Sequence, residues 1–215
     1  MPLFLLIRHG ENDFVKTGRM AGRLPEVHLN ERGRQQAVDL AEALGQVPLT
    51  ALYSSPLERA RETAAPLAEK RGLAVEIRAG LMETGVGDWA GQELKALRKR
   101  PEWKTVQEAP SRFRFPNGES FAECQFRLVN EVESLTRAHP PEGIVALVSH
   151  ADPIKLLVAY HLGMPLDHFQ RLSCETGSVT VLQLGEHGAH LLRLNLRPPF
   201  LFPVPEKPSG KRRKS

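Results

Sequence analysis

Unbroken runs of apolar residues mark the strands that this sequence predicts. Residues 3–7 and 144–148 are apolar throughout, short and without helical spacing, so each predicts a strand that is buried on both faces. Further β-rich runs lie at 50–53, 74–77, 178–184 and 190–196. The last two are joined by Gly-Glu-His-Gly, which predicts a hairpin at one edge of the sheet.

Between these strands, apolar residues recur at helical spacing and capping residues mark the helix starts. Asn30 is the predicted N-cap of one helix, and the next helix is predicted to end at Gly72. The other predicted starts are Ser55 with Pro56 and Glu58, Ser120 with Glu123, and Asp152 with Pro153. A short helix is predicted over 92–99, whereas 13–30 and 101–117 are expected to be irregular.

Strands that alternate with helices over most of the chain predict an α/β fold. We expect a three-layer αβα sandwich with a mostly parallel central sheet and an antiparallel edge strand. One catalytic domain is predicted over residues 1–197, with a lid region of loops and short helices at 80–118. Residues 198–215 are predicted to form a proline-rich, basic tail.

The net charge of +4 lies entirely in that tail. The charged residues of 198–215 are the acid Glu206 and the cations Lys207, Lys211, Arg212, Arg213 and Lys214. The remaining domain is formally neutral, so we expect no nucleic-acid binding by it. The sequence shows no signal-peptide pattern and no apolar run near the ~18 residues of a membrane span, which predicts a cytoplasmic protein without membrane attachment. Cys124 and Cys174 are expected to be small core residues in a reducing compartment.

Two histidines occupy matching positions in this pattern. His9 and His150 each follow a fully apolar strand, and Arg8 precedes the first of them. In open α/β sheets the reacting groups gather at the carboxyl ends of the strands, so we expect these side chains to share one site. The sequence has no H-x-x-x-H, H-x-H or C-x-x-C spacing, so no metal site is predicted. A serine or cysteine nucleophile is also disfavoured, because G-x-S-x-G and the arginine-ended cysteine loop are absent from the sequence.

Phosphoryl transfer fits these residues best. Arg8 and an arginine early in the second helix would supply planar, permanently charged donors to a phosphate dianion, and a neutral imidazole would attack phosphorus. The leaving oxygen then needs a proton from a carboxylic acid, for which Glu83 and Asp88 are both candidates. Periodicity does not choose between these acids, nor between Arg59 and Arg61, although Arg61 lies nearer the apolar stripe.

At this point the sequence resembles the histidine phosphatase superfamily, also called the phosphoglycerate mutase-like family, over residues 3–196. The matching segments are Arg8-His9-Gly10, LNERGRQQA at 29–37, SSPLERARET at 54–63, METGVGDWAG at 82–91, PNGES at 116–120 and VSHAD at 148–152. Each segment alone is weakly specific. Together they occur in the family's order and spacing.

The resemblance implies a role for each residue of the expected site. His9 would be the phosphorylated nucleophile and Glu83 the proton donor. Arg8, Arg59 and His150 would take part in catalysis by binding the phosphoryl group. The resemblance implies neither a metal nor a nucleotide or other cofactor.

The chain departs from the family pattern in two places. Many members carry an asparagine six residues after the nucleophile, where this chain has Val15, and Asn12 is the candidate substitute. Gly22 is included with Asn12 in the expected substrate-binding set. After the second histidine the family usually has glycines, whereas this chain has Ala-Asp-Pro at 151–153, in which Asp152 is interpreted as a helix N-cap.

We therefore expect a metal-independent phosphomonoesterase that hydrolyses a small phosphorylated metabolite through a phosphohistidine intermediate. A cofactor-dependent, phosphoglycerate mutase-like phosphomutase is the alternative, but the segment between Trp89 and Gly118 is short for the lid such an enzyme needs. A scaffold that binds a phosphoanion or a partner without catalysis is the other alternative. A second anionic group of the substrate could meet Arg19, Arg23, Lys95, Arg112 or Arg114. Assembly into a homodimer is left open.

Overall fold

A six-stranded sheet carries the fold of the computed structural model, which describes residues 2–185 and 188–199. Its strands are β1 (Leu3–Arg8), β2 (Ala51–Ser54), β3 (Val75–Ile77), β4 (Ile144–Ser149), β5 (Val179–Gly185) and β6 (Gly188–Leu196). Their order across the sheet is β3-β2-β4-β1-β5-β6. The first four strands of that order pair in parallel, and β5 runs antiparallel to both of its neighbours. The predicted mostly parallel sheet with antiparallel pairing at one edge is confirmed.

Helices connect the parallel strands and occupy part of the long connection between β3 and β4. The α-helices are α1 (Asp13–Lys16), α2 (Glu31–Leu44), α3 (Glu58–Arg71), α4 (Leu94–Leu97), α5 (Glu102–Glu108), α6 (Phe121–Ala138) and α7 (Ala151–His161). Short 3-10 helices cover Ala79–Leu81, Gly87–Trp89, Pro110–Arg112 and Leu166–Arg171. The sequence pattern missed α1 and α5, because each is too short to show a repeated apolar stripe.

Two helices cover each face of the sheet. On one face, Leu5 and Val148 belong to a buried cluster with residues of α2 and α3. On the other face, Phe4 and Leu147 belong to a cluster with residues of α6 and α7. Successive residues of a strand point to opposite faces, so unbroken apolar runs such as β1 and β4 supply both clusters. The predicted three-layer αβα sandwich is confirmed.

The predicted lid region at 80–118 packs on aromatic residues of its own. The rings of Phe113 and Phe115 lie 4.9 Å apart, and each lies 5.3 Å from the ring of Trp89. Phe121 of α6 joins them, with its ring 5.3 Å from that of Phe115. These contacts hold the lid region against the α6 side of the sheet.

Capping residues place the starts of α2 and α6 as predicted, but not those of α3 and α7. The caps of α2 and α6 are confirmed at Asn30 and at Ser120 with Glu123. The predicted cap at Ser55 is wrong, because α3 begins at Glu58 and Leu57 occupies its cap position without a side-chain hydrogen bond. The hydroxyl of Ser55 has a different partner, which is described with the site below.

Parts of two predictions lie outside the described residues. These are the centre of the predicted hairpin turn, 186–187, and residues 200–215 of the predicted tail. Of the helices within the described ranges, none combines the length and the apolar character needed to cross a bilayer.

The loop that follows β1 lies directly against the first turn of α2. A Cβ atom on Gly33 would lie 1.9 Å from the carbonyl oxygen of Glu11, and one on Gly10 would lie 2.5 Å from the carbonyl oxygen of Gly33. The amide of Gly10 also donates to Oγ1 of Thr63, at 2.9 Å. The loop is therefore fixed between α2 and α3 at a spacing that only glycine permits.

Gly33→Ala tests this close contact. Helix propensity alone would make the variant more stable by about 1 kcal/mol, whereas overpacking against the Glu11 carbonyl should destabilise it by about 1–3 kcal/mol. Urea unfolding followed by circular dichroism shows whether the variant is more or less stable than wild type. Val38→Ala on the same helix is the control, since Val38 is 45% exposed and its change should stay within about 0.5 kcal/mol. A Gly33→Ala protein as stable as wild type or more stable would contradict the packing described.

Candidate active site

His9 stands at the carboxyl end of β1 in a buried position. Its main-chain amide donates to the carbonyl of Ser149 at 3.0 Å, so the ends of β1 and β4 are tied together. The ring atom Nδ1 lies 2.7 Å from the carbonyl oxygen of Gly10. A carbonyl can only accept, so in the neutral ring the proton is on Nδ1 and the lone pair is on Nε2.

His150 follows β4, the parallel neighbour of β1, and lies beside His9. Arg8 and Ser149 are paired in the register of the two strands, so both imidazoles leave the sheet at the same edge. Their ring centroids are 5.1 Å apart. The sequence prediction that these two rings share one site agrees with this geometry.

Ser55 holds the ring of His150. The fully buried His150 places Nε2 at 2.9 Å from the Ser55 hydroxyl oxygen, while Nδ1 has no hydrogen-bond partner among the described residues. Ser55 lies at the end of β2, which is the other neighbour of β4 in the sheet. Sequence reasoning missed this contact, because the local pattern after β2 favoured a helix cap.

Two arginines place guanidinium groups beside the imidazoles. Arg59, on the first turn of α3, is 1% exposed, with Nε directed to Nε2 of His9 at 3.4 Å and Nη2 donating to the carbonyl of Gly22 at 2.7 Å. Arg8 donates from Nη1 to the carbonyl of Cys174 at 2.6 Å. Arg61, which lies nearer the apolar stripe of α3 in the sequence pattern, is exposed. The structure therefore places Arg59, and not Arg61, at the histidines.

Asn12 and Gly22 lie near these groups in different ways. Asn12 is fully buried, and its Oδ1 caps α1 by accepting from the amide of Val15 at 2.9 Å. Gly22 has a left-handed backbone with φ of 52°, and its carbonyl holds Arg59. A Cβ atom on Gly22 would lie 2.4 Å from Cγ2 of Val86, so this position also requires glycine.

Several donors around the two rings are buried and have no hydrogen-bond partner among the described residues. These donors are Nε of Arg8, Nδ2 of Asn12 and Nη1 of Arg59. Buried polar groups are nearly always paired in proteins, so a cluster of unpaired donors indicates a site for an acceptor-rich ligand. Among the described residues, no group of three or more His, Cys, Asp or Glu side chains could hold a metal ion.

Burial shifts the pKa values of the two histidines and of the acid in opposite directions. The pKa values of His9 and His150 lie well below the ordinary 6.5, first because the rings are buried and then because the Arg59 and Arg8 charges disfavour a further cation. Burial raises the pKa of Glu83 to about 7, and the negative charge of Asp152 adds to that effect. The Arg59 and Arg8 charges and the amide of Thr84 act against this rise in the Glu83 pKa.

Glu83 and Asp88 separate clearly in the structure. Glu83 is partly buried and accepts from the amide of Thr84 at 2.9 Å. Asp88 is exposed, and its carboxylate accepts from the side-chain amide of Asn117 at 3.0 and 3.2 Å. The acid in electrostatic contact with Arg59 is therefore Glu83.

The interpretation of Asp152 as a helix cap is wrong. Helix α7 begins at Ala151, with His150 in the cap position and without a side-chain cap. The Asp152 carboxylate instead pairs with Nζ of Lys155 at 2.8 Å. The sequence could not show that the Asp152 charge acts on Glu83, because the two residues are far apart along the chain.

Most of the cations suggested for a second anionic group have internal partners. Arg19 donates from Nε and Nη2 to the carbonyl of Gly91, at 3.0 and 2.9 Å. Arg114 pairs with Glu123. Arg23 contacts the main chain of Glu83 and is considered further below.

Fold and site together are those of an α/β enzyme that acts on phosphate esters. The family model described as "Histidine phosphatase superfamily (branch 1)" matches residues 4–197. The chain belongs to this superfamily, and the family resemblance noted in the sequence is confirmed. The expectation of a phosphatase enzyme is confirmed as well, because curated relatives of this family are named phosphatases.

Three comparisons show how near these relatives are. The chain is 32% identical to phosphoserine phosphatase 1 of Hydrogenobacter thermophilus, over 91% of this chain and 93% of that protein. It is 33% identical to glucosyl-3-phosphoglycerate phosphatase of Mycobacterium tuberculosis, over 86% of each. A solved structure of mycobacterial glucosyl-3-phosphoglycerate phosphatase in complex with VO3 superposes with a TM-score of 0.82 at 32% identity, over 90% of this chain and 98% of the other.

The raised pKa of Glu83 makes stability depend on pH in a defined direction. Between the ordinary value of 4.5 and about 7, the folded state keeps a proton that the unfolded state has lost, so stability falls as pH rises through this window. Glu83→Gln removes this loss and keeps the acceptor for the Thr84 amide. Its stability relative to wild type should rise by about 1–3 kcal/mol from pH 4.5 to 7 and then level off. Urea unfolding at a series of pH values measures this difference, and a flat or falling difference would contradict the burial of an acidic Glu83.

Proposed function

We propose that the protein hydrolyses a small phosphorylated metabolite through a phosphohistidine formed on Nε2 of His9. The observation that carries this proposal is the pair of unpaired guanidinium donors that Arg8 and Arg59 place beside the two imidazoles. A phosphoryl group has the acceptor oxygens that these donors lack, and a bidentate guanidinium matches its geometry. Nδ2 of Asn12 is a further donor that we assign to the same anion.

In the first step, the Nε2 lone pair of His9 attacks phosphorus while the bond from phosphorus to the leaving oxygen breaks. The proton stays on Nδ1, which donates a hydrogen bond to the Gly10 carbonyl oxygen. This hydrogen bond stabilises the ring as it becomes cationic. Glu83, protonated near neutral pH, gives its proton to the leaving oxygen. The product alcohol leaves, and the carboxylate of Glu83 remains.

In the second step, this carboxylate takes a proton from a water molecule as the water oxygen attacks phosphorus. The bond between phosphorus and Nε2 breaks, and its electron pair returns to His9. Inorganic phosphate leaves, with Glu83 protonated and His9 neutral as at the start. Both steps use only residues of this chain, and Arg8, Arg59 and His150 stabilise the negative charge of the phosphoryl oxygens.

The names of the relatives support a small phosphorylated metabolite as the substrate. They act on phosphoserine and on glucosyl-3-phosphoglycerate, in which a phosphate ester is attached to a small polar molecule. The similar solved structures include a complex of the mycobacterial phosphatase with VO3 and a complex with inorganic phosphate. We propose the same chemical class of substrate here.

Trapping of the intermediate tests the nucleophile. Wild-type protein mixed with 4-nitrophenyl phosphate and quenched in alkali should carry one phosphoryl group on His9, detected by mass spectrometry of peptides. His9→Ala should lose both the label and turnover, by a factor of about 10⁴ or more. His28→Ala, which removes a half-exposed histidine, should keep both.

Label on another residue, or turnover by His9→Ala, would contradict this assignment. A correctly folded wild type that neither labels nor releases phosphate would indicate a binding scaffold. Phosphoglycerate isomerisation that requires a bisphosphorylated primer would indicate a mutase.

The leaving group tests the acid. Glu83→Gln should slow hydrolysis of phenyl phosphate by about 10²-fold or more, because its leaving oxygen needs a proton. The same variant should hydrolyse 4-nitrophenyl phosphate at a rate much nearer to wild type. Asp88→Asn, in the same segment but exposed and bound to Asn117, is the matched control and should keep the wild-type ratio of the two rates. Equal losses on both substrates in Glu83→Gln would exclude Glu83 as the acid.

A further inference from the structure

Charged hydrogen bonds hold the segment that carries Glu83. Arg127 of α6 donates from Nη1 to the carbonyls of Gly80 and Met82, at 2.8 and 3.0 Å. It also donates from Nη2 to the carbonyl of Glu83 itself, at 3.3 Å. One guanidinium thus fixes three carbonyls on the main chain leading to the proposed acid.

Glu119, a residue of the PNGES motif, completes this arrangement. Its two carboxylate oxygens accept from Nε and Nη2 of Arg127, each at 3.1 Å. The carboxylate also accepts from the amide of Gly85 at 3.0 Å, and the amide of Glu119 donates to the Gly85 carbonyl at 2.7 Å. Burial alone would raise the pKa of Glu119, but the hydrogen bonds from Arg127, Gly85 and Arg23 lower it, so Glu119 is a carboxylate.

Arg23 joins this network to the phosphate-binding side of the site. Its Nε donates to the carbonyl of Glu83 at 2.8 Å, and its Nη2 pairs with Glu119 at 2.7 Å. The preceding residue, Gly22, accepts from Nη2 of Arg59 at 2.7 Å. Two adjacent residues of one loop therefore contact Arg59 on one side and the main chain of Glu83 on the other.

We propose that Arg23, Glu119 and Arg127 are positioning residues that hold the carboxyl of Glu83 at the leaving oxygen, with Gly22 and Arg23 linking this placement to Arg59. The proposal rests on the proposed function, in which Glu83 is the proton donor. None of the three positioning side chains needs to touch the substrate. Their contribution is geometric, since a displacement of a catalytic group by about 1 Å can cost up to about 10²-fold in rate.

Arg23→Ala is the most direct test, because the Arg23 side chain is 32% exposed and its loss leaves Arg127 and Glu119 paired. The readout is the ratio of kcat/KM for phenyl phosphate to kcat/KM for 4-nitrophenyl phosphate. Only the first substrate depends strongly on the acid, so the ratio should fall about 10-fold, through kcat. Glu119→Gln should lower the same ratio, and it supplies a second variant from another element of the fold.

Arg19→Ala is the matched control. Arg19 lies in the same loop and also donates to a main-chain carbonyl, that of Gly91, but it does not contact the Glu83 segment. The ratio of the two kcat/KM values in Arg19→Ala should stay within about 2-fold of the wild-type ratio. In a Glu83→Gln background, Arg23→Ala should lower the phenyl phosphate rate by no more than about 2-fold, because residues that act as one unit are not additive.

The possible results separate the two proposals. A wild-type ratio in Arg23→Ala, with a lowered ratio in Glu83→Gln, would overturn the positioning network and leave Glu83 as the acid. A raised KM for both substrates at unchanged kcat would overturn it too, since Arg23 would then bind substrate directly. A wild-type ratio in Glu83→Gln would overturn the acid assignment itself, and the network with it.

Discussion

The site depends on the parallel pairing of β1 with β4. Because Arg8 is in register with Ser149, the two strands end together and bring His9 and His150 to the same edge of the sheet. The apolar strands below exclude water, and α2 fixes the loop after β1 through Gly10 and Gly33. The buried Arg59 and the half-buried Arg8 then place two guanidinium groups beside two imidazoles. An arginine keeps its charge in such a place, so the imidazoles must be neutral.

Burial therefore prepares both the nucleophile and the acid of the proposed reaction. Burial lowers the pKa of His9 and raises that of Glu83, so a basic nitrogen and a protonated carboxyl coexist near neutral pH. The two groups come from different parts of the fold. His9 is fixed by the sheet, whereas Glu83 lies in the segment between β3 and α6 and depends on hydrogen bonds from Arg23 and Arg127.

Sequence reasoning succeeded where the signal was local and repeated. Two apolar strands that end in histidine predicted both the sheet and the meeting of His9 with His150. Periodicity could not choose between Arg59 and Arg61, because the apolar stripe of α3 faces the sheet while the site lies beyond the edge of the sheet. The choice of Glu83 over Asp88 came only from the family resemblance.

Long-range partners were out of reach of local rules. Ser55 has the sequence pattern of a helix cap, but its hydroxyl meets His150, which lies 95 residues away. Asp152 was misassigned for the same reason, since its charge acts on Glu83, which lies in a distant part of the chain. The sequence pattern does not predict the contacts of Arg127 with the carbonyls of Gly80 and Met82, because every residue has the same main-chain acceptor.

The protonation state of His9 tests the central claim most directly. Nitrogen-15 NMR of the histidine rings distinguishes the two neutral tautomers from the imidazolium. At pH 7 the account predicts a neutral His9 with its proton on Nδ1, which remains neutral well below pH 6.5. A proton on Nε2, or an imidazolium at pH 7, would contradict it.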